Sequence, residues 1–396
     1  MAVNRCHHAD TRLICSISTD SIIHNWKLLA AKSGSATTAA VIKADAYGHG
    51  MEQVGVALRD AGCRWFFTAS LEEAVNLRQA FRDNSRQAAR AETDASPEAP
   101  VISYFDGLHV EAVAAVAEYA LWPSVNDPAQ LALLKQLASR LGSPAAALLQ
   151  LDTGMNRLGM DGNMRDWLRA NPDQLEGADW RCVYSHLASA DEPEQQQNQD
   201  QLLAFRAAAD LLPGVPRSLA NSAGIMLGSA YHFQLTRPGI ALYGYPPLNP
   251  DSLPFRPAAK LHARILQIRE AEAGAAIGYN ATCRLKRKSR LATLAGGYAD
   301  GWRRQLSNTG MVSKDGLRAP ILGRISMDSH TIDITDWPPD HARVGDFVTL
   351  IGGIVDTTET ADASGTIVYD LLTSLGLRAS RSYAEPGNPT IREQNG

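Results

Sequence analysis

Three basic side chains in this sequence each follow a short apolar run, at the point where a β-strand would end. They are Lys43 after Ala39–Ile42, His186 after Arg181–Ser185, and Arg237 after Phe233–Thr236. Each alone has an ordinary structural explanation, because a strand-end lysine is usually solvated and a histidine or arginine usually completes a hydrogen bond or ion pair. Their repeated occurrence at strand ends favours a shared site.

Two segments that could bind a phosphate group lie at the same kind of position. They contain Asn221 and Ser222 in one case and Gly239 and Ile240 in the other. Asn-Ser-Ala-Gly alone is typical of a helix N-cap, but backbone N–H groups at helix starts also bind phosphate. A lysine that loses its proton when desolvated can form a Schiff base with an aldehyde. Together with Lys43, these segments predict a phosphate-bearing aldehyde cofactor, which is pyridoxal phosphate.

Alternating strand-like and helix-like segments place these residues in a fold. Between about residue 36 and residue 243 the sequence carries eight β-then-α units, with apolar residues recurring at three- and four-residue intervals in the helical parts. This pattern predicts an α/β fold, a (β/α)8 barrel of the TIM type, whose catalytic residues lie at the C-terminal ends of the strands. An open doubly wound sheet is the alternative, but no glycine-rich dinucleotide turn follows the first strand.

A proline-rich segment, Tyr245–Pro257, divides the chain. Five prolines in thirteen residues cannot continue a helix or a central strand, so the segment is interpreted as a linker. Beyond it, alternating segments and Gly and Asp turns predict a mostly β domain. We therefore expect a barrel over residues 1–245 and a β domain over residues 258–396, with roughly the first 15 residues as candidates for packing on the β domain.

Composition restricts the classes of partner. The 396 residues are 45% hydrophobic and 20% charged, with 38 Lys and Arg against 42 Asp and Glu and a formal net charge of −4. Such a chain lacks the basic surface of a nucleic-acid or anionic-membrane binder. No apolar run approaches the ~20 residues of a membrane span, and the start has no apolar signal-peptide core. The five cysteines form no Cys-x-x-Cys pair, which favours reduced thiols and a cytoplasmic protein.

Several longer motifs resemble those of bacterial alanine racemases. They are AVIKADAYGHG, LDTGMNRLGM, NSAG, RPGIALYGY, IGYNAT, GGYADGW and GRISMD, in order between about Ser16 and Arg381. The resemblance implies a pyridoxal-phosphate enzyme with an N-terminal barrel and a C-terminal β domain. It also implies interconversion of L-alanine and D-alanine by two bases acting on a cofactor aldimine, in a homodimer whose subunits share their active sites.

The resemblance assigns roles to individual residues. Lys43 matches the cofactor-binding lysine and one base, and Tyr279 matches the opposite base. Arg237 matches the arginine facing the pyridine nitrogen, and His186 the histidine that orients it. Phosphate positions are matched by Tyr47, Ser222, Gly239 and Ile240, with Asn221 beside them. Arg157 and the Met327 amide match donors to the substrate carboxylate, whereas Tyr298 and Asp328 match the active-site entrance and its support.

One supporting position departs from the family pattern. Many members carry a carbamylated lysine where this chain has Gln150, so a negative charge beside Arg157 is missing. We expect the Gln150 amide oxygen, alone or with a bound halide, to take that place, because a buried guanidinium without partners is costly. The alternative is that Arg157 pairs only with the cofactor and water.

Three other activities are compatible with parts of this sequence. The nearest alternative is a serine or broad-specificity racemase of the same fold. The shape of the substrate pocket decides which side chain such an enzyme accepts, and a sequence does not specify that shape. An amino-acid decarboxylase of similar build is a weaker match: those enzymes typically use a glycine-rich phosphate segment and an acid at the pyridine, whereas this chain has Arg237. A non-catalytic pyridoxal-phosphate carrier usually lacks the second domain that supplies Tyr279.

Overall fold

The computed structural model describes residues 11–87 and 99–383, which form two compact units. The barrel unit is Asp20–Arg256, and the β unit combines residues 11–19 with residues 257–383. Their boundary lies in the proline-rich segment, where residues 245–257 form no helix or strand. Proline has no N–H to donate and a fixed φ, so this composition prevents regular structure there.

The barrel unit contains a closed ring of eight parallel strands, numbered here in chain order. Seven pair consecutively, and strand eight pairs with strand one to complete the ring. Backbone bonds such as Arg237 N–H to Ala220 C=O, 2.9 Å, link strands seven and eight. The strands are Thr37–Thr38 continued by Ala40–Val41, Trp65–Thr68, Val101–Tyr104, Trp122–Val125, Ala145–Gln150, Ala178–Tyr184, Arg217–Ser218 and Leu235–Thr236.

Helices between the strands cover the ring. Ala129–Leu141 shows why they form: Leu131, Leu134 and Leu137 recur on one face and are buried, and the helix ends at Gly142 with φ of 67°. The helices are Thr19–Lys32, Met51–Asp60, Leu71–Gln87, Val113–Glu118, Ala129–Leu141, Gly162–Ala170, Gln196–Ala208 and Ser222–Leu227. Because helices pack outside the parallel strands, strand residues such as Phe66 and Phe67 are fully buried on both faces.

Six antiparallel strands close into a second, smaller barrel in the β unit. In ring order they are Ser289–Ala295, Ser329–Asp333, Leu317–Leu322, Met311–Lys314, Phe347–Ile351 and Ala259–Ala271, which pairs again with the first. Leu13–Ile17 adds to this sheet beside Ala259–Ala271, and Ser380–Tyr383 follows it. A short hairpin, Ala276–Ile277 with Cys283–Arg284, and the helices Thr357–Ala363 and Val368–Thr373 complete the unit.

The predicted fold class, a (β/α)8 barrel followed by a mostly β domain, is confirmed. The helix that begins at Leu71 continues to Gln87, and residues 88–98 lie outside the described residues. Helix Thr357–Ala363 was not expected; the Asp356 side chain caps it by accepting the Thr358 N–H. Across the described ranges, no helix has the length and apolar character needed to cross a membrane.

Candidate active site

Lys43 begins a turn of left-handed backbone at the end of strand one. The next four residues, Ala44 to Tyr47, have φ between 51° and 54°. Non-glycine residues pay roughly 1–2 kcal/mol each for this conformation, so such strain persists only where the surroundings enforce it. The turn has its own bonds, Ala46 N–H to Ile42 C=O and Gly48 N–H to Ala44 C=O, both 2.9 Å. It holds the Lys43 backbone at the barrel mouth.

The Lys43 amine lies over an aromatic ring and among charges of both signs. Its Nζ is 5.8 Å from the centre of the Phe105 ring. Burial, and after it the Arg157 cation, lower the pKa of Lys43 from the usual value of lysine, whereas the Glu73 and Asp106 carboxylates act in the opposite direction. A lysine so placed loses its proton more readily, as Schiff-base formation and proton abstraction require.

Arg237 is 3% exposed and is fixed by strands six and seven. Its guanidinium donates to the Ser218 hydroxyl and, at 2.5 Å, to the Ser185 carbonyl. It also lies 4.9 Å from the centre of the Tyr184 ring. Burial lowers the pKa of Arg237, but a guanidinium still keeps its proton in proteins. The structure therefore presents a rigid, permanent cation at the strand ends.

His186 lies two residues beyond strand six and is neutral. Burial lowers the pKa of His186 to about 3, and neighbouring cations, Arg237 foremost, add to the effect. A neutral imidazole can accept a hydrogen bond from a guanidinium. Within the described residues, however, Arg237 donates to Ser218 and Ser185, and no hydrogen bond joins it to the His186 ring. The orienting role of His186 stays a prediction.

Ser222, Gly239 and Tyr47 form a small cradle beside Arg237. The Ser222 hydroxyl oxygen accepts the N–H groups of Gly239 at 2.9 Å and Ala241 at 3.3 Å. A Cβ on Gly239 would lie 2.5 Å from the Tyr47 hydroxyl, so only glycine allows this approach. Ile240 is buried beside it, and Asn221 accepts the Gly224 N–H at 2.9 Å as the cap of the next helix. Hydroxyl and amide groups thus converge as a phosphate requires.

The direct contact expected between the Gln150 amide oxygen and Arg157 is absent from the described residues, and the halide-bridged version stays a prediction. The Gln150 side-chain oxygen accepts the Tyr184 hydroxyl at 2.8 Å, and its amide nitrogen donates to the Leu158 carbonyl at 3.3 Å. The physical reason is strand register: Gln150 and Tyr184 are opposite each other on strands five and six. Arg157 instead lies exposed on the following loop, where the Asp152 carboxylate accepts backbone N–H groups such as that of Gly154 at 2.9 Å.

Tyr279 occupies an exposed turn of the β unit. The turn connects Ala276–Ile277 to Cys283–Arg284, and Tyr279 is 66% exposed. Gly278 before it has φ of 68° and packs closely on the Arg324 backbone. Asn308 fixes the turn by donating to the Thr282 hydroxyl at 3.3 Å and accepting the Gly323 N–H at 2.6 Å. The β unit therefore presents the phenol outward on a braced turn.

Tyr298 and Met327 lie on two neighbouring loops of the same unit. They are 46% and 53% exposed, and the loops are joined by Tyr298 N–H to Ser326 C=O at 3.2 Å. Asp328 next to Met327 accepts Arg378 at 2.8 Å, and Arg378 also pairs with Asp300 at 3.1 Å. Large apolar side chains left in solvent are typical of a surface with a function beyond folding.

Several residues of these clusters were not found from the sequence. They are Glu73, Phe105, Asp106, Tyr184, Ser185 and Ser218. Ser185 and Ser218 lie at strand ends, where the rule that identified Arg237 could also have found them. Glu73 is the fourth residue of Ser-Leu-Glu-Glu, a capping-box pattern that marks a helix start. Phe105 and Asp106 carry no local signal, because only the barrel brings them to Lys43.

Comparisons with known proteins agree over both units of the chain. Residues 17–247 match the family described as alanine racemase, N-terminal domain, and residues 258–383 match alanine racemase, C-terminal domain. A catabolic alanine racemase of Agrobacterium fabrum is 40% identical over 94% of this chain and 92% of its own length. A biosynthetic alanine racemase of the same organism is 40% identical over 93% of each chain. The crystal structure of alanine racemase from Bartonella henselae with covalently bound pyridoxal phosphate has 37% identity and a TM-score of 0.86, covering 94% of this chain and 100% of that one.

Proposed function

The chain belongs to the alanine racemase family, and we propose that Lys43 and Tyr279 are the two bases with which it interconverts L-alanine and D-alanine. It is a pyridoxal-phosphate-dependent alanine racemase. The observation that carries the proposal is the placement of Lys43: a lysine with a lowered pKa, at a strand end, on a strained turn. The similar relatives are named alanine racemases, which supports alanine rather than serine as the substrate of this chain.

The barrel-mouth residues fit pyridoxal phosphate. Lys43 would hold the aldehyde carbon, while the Ser222 and Tyr47 hydroxyls and the Gly239–Ile240 amides would hold the phosphate. Arg237 uses two of its nitrogens on Ser218 and Ser185, and its other N–H groups remain for the pyridine nitrogen. When bound, the cofactor supplies the electron sink that makes the α-proton of an amino acid acidic.

Arg237 and His186 set the charge around the ring. Because a guanidinium keeps its proton, Arg237 would donate a hydrogen bond to the pyridine nitrogen without protonating it. The neutral state of His186 keeps a further positive charge away from the buried arginine. Arg237 and neutral His186 would thus limit the positive charge around the ring, which suits the chemistry of a racemase.

Racemisation needs a base on each face of the α-carbon. Lys43 serves one face, because its lowered pKa keeps a fraction of the amine unprotonated. Tyr279, presented on the exposed turn of the β unit, serves the other. Arg157 and the Met327 amide bind the substrate carboxylate, Tyr298 lines the entrance, and Asp328 supports it through Arg378.

We further propose a homodimer in which Tyr279 reaches the barrel mouth of the partner subunit. Support comes from the exposure of Tyr279, Tyr298 and Met327 on one unit, since three large side chains exposed together are costly in a free surface. We also propose a cytoplasmic location, which is supported by the free thiols of Cys15, Cys63, Cys182 and Cys283.

Borohydride trapping tests the assignment of Lys43. The purified holoenzyme is reduced, digested and analysed by mass spectrometry, beside an unreduced sample and the Lys43→Ala variant. The expected result is the cofactor mass on the peptide containing Lys43 and no label in either control. Label on another lysine of the wild-type protein would contradict the proposal.

A further inference from the structure

Glu73 joins the turn after Lys43 to the end of strand two. One carboxylate oxygen accepts the Ala44 N–H at 2.7 Å, and the other accepts the Ala69 N–H at 2.8 Å. Ala44 is the first left-handed residue after Lys43, and Ala69 directly follows strand Trp65–Thr68. One side chain thus bridges two neighbouring strand ends at the mouth of the barrel.

The Ala44 N–H is the donor that the turn itself cannot satisfy. Later amides of the turn find partners inside it, as Ala46 does with Ile42 and Gly48 with Ala44. The first amides of a helical turn have no earlier carbonyl to reach, whichever its hand. Glu73 therefore caps the left-handed turn in the way that a side chain caps an ordinary helix.

The Ala69 peptide extends this connection to the residues beneath the Lys43 amine. Its carbonyl accepts the N–H groups of Phe105 and Asp106, both at 3.0 Å. Phe105 is the ring below the amine, and Asp106 is one of the two carboxylates that act on it. A displacement of Glu73 would loosen both the Lys43 turn and the loop that it faces.

We infer that Glu73 is a positioning residue for Lys43, which it serves by capping the strained turn and tying it to the Ala69–Asp106 loop. This inference rests on the proposed function of Lys43. The groups facing the amine are the cation Arg157, the neutral His186 and the carboxylates of Glu73 and Asp106. Glu73 is the one among them that also bonds the Lys43 turn directly.

The adjacent residue offers a matched control. Glu72 and Glu73 both lie in the first turn of helix Leu71–Gln87, so each favours the positive end of the helix dipole. Glu72 is exposed, whereas Glu73 is half-buried. Glu73→Gln and Glu72→Gln each remove one negative charge from the first turn of this helix. Only Glu73 contacts the left-handed turn after Lys43.

The test uses the holoenzyme after borohydride mapping has shown which lysine binds the cofactor. If that residue is not Lys43, the proposed function fails and the role of Glu73 with it. If it is Lys43, the measured quantities are the rate of cofactor loss on dilution, the circular dichroism of the bound cofactor, and the pH profile of kcat. For Glu73→Gln we expect cofactor loss faster by about tenfold, the equivalent of one charge-assisted hydrogen bond.

The pH profile separates positioning from plain helix capping. The Glu73 carboxylate counteracts the effect of the Arg157 cation on the Lys43 amine, so without it the pKa of Lys43 falls further. The acid limb of the profile should therefore move to lower pH. Glu72→Gln should match the wild type in all three measurements. If Glu73→Gln lowers only the unfolding temperature, with cofactor loss, circular dichroism and acid limb unchanged, Glu73 is a helix cap alone and the inference is overturned.

Discussion

The Tyr184 hydroxyl donates to the Gln150 side-chain oxygen at 2.8 Å, across strands five and six of the parallel barrel. The same hydroxyl lies 2.7 Å from the Ser124 oxygen, so it accepts from Ser124 while it donates to Gln150. Hydrogen-bonded polar side chains therefore cross the barrel interior at Gln150, the position where the family resemblance implies a carbamylated lysine. Within the described residues, Gln150 is a hydrogen-bond partner of Tyr184 and Leu158 and makes no direct hydrogen bond with Arg157.

Tyr184→Phe should destabilise the protein by about 1–3 kcal/mol, because it leaves buried polar atoms of Gln150 and Ser124 without this partner. Urea denaturation followed by fluorescence measures the change. Tyr119→Phe is the control, since its hydroxyl accepts an exposed bond from Gln79 at 3.1 Å, and it should cost less than about 0.5 kcal/mol. Equal losses for the two variants would contradict a buried network.

Ser218→Ala should lower the free energy of unfolding by more than Ser33→Ala does. Ser218 accepts from the buried Arg237 guanidinium, whereas Ser33 shares a neutral bond of 2.9 Å with Thr236. Hydrogen bonds to charged groups contribute about 1.5–3 kcal/mol, against about 1 kcal/mol for neutral pairs. Denaturant unfolding of both variants gives the comparison, and a smaller loss for Ser218→Ala would mean that Arg237 is held by other contacts.

His330 should make the protein less stable in mild acid. Burial lowers the pKa of His330 to about 4, although its bond to the Gly296 carbonyl at 2.7 Å acts in the opposite direction. An unfolded histidine titrates near ~6.5, so between these values the unfolded state binds the proton and the folded state does not. The free energy of unfolding therefore falls as pH drops from about 6.5 to about 4.

Denaturation at a series of pH values compares His330→Gln with the exposed His109→Gln. The first variant should show a shallower loss of stability toward acid, while the second keeps the wild-type slope. Identical slopes for all three proteins would place the acid sensitivity elsewhere.

The parts of the fold that were predictable are those with a local pattern. Strands Trp65–Thr68, Val101–Tyr104 and Trp122–Val125 each lie on a short apolar run between turns, which is the local pattern that predicts a strand. The left-handed turn after Lys43 was not predictable, since Ala-Asp-Ala-Tyr has no preference for positive φ. Its cap, Glu73, lies 29 residues away along the chain, and tertiary structure alone brings the two together.

In the candidate site, too, features with a local sequence pattern were predictable and features set by tertiary structure were not. The strand-end rule singled out Lys43 and Arg237, and the structure places both at strand ends, whereas the Gln150 side chain bonds to Tyr184 and not directly to Arg157. The direction of the Gln150 side chain depends on the register of strand five against strand six. Register is a property of the assembled sheet and does not follow from the residues beside Gln150.

Mixing two inactive variants should restore activity if the sites are shared. Lys43→Ala and Tyr279→Phe chains, co-incubated under conditions that exchange subunits, would form hybrid dimers in which both lesions fall in one site and the other site is intact. With equal amounts and random exchange, about a quarter of the sites become intact. Exchange is verified by native mass spectrometry, and no recovery after proven exchange would contradict a site built from two subunits.

The most direct test of the two-base account is isotope exchange in the Tyr279→Phe variant. L-alanine and D-alanine are incubated separately in deuterated buffer, and loss of the α-proton from each is followed by NMR. Because a positioned base contributes roughly 10²–10⁴-fold, the account predicts a slowing of that order for one enantiomer and much less for the other. Small and equal slowing of both enantiomers would contradict the assignment of Lys43 and Tyr279 to opposite faces.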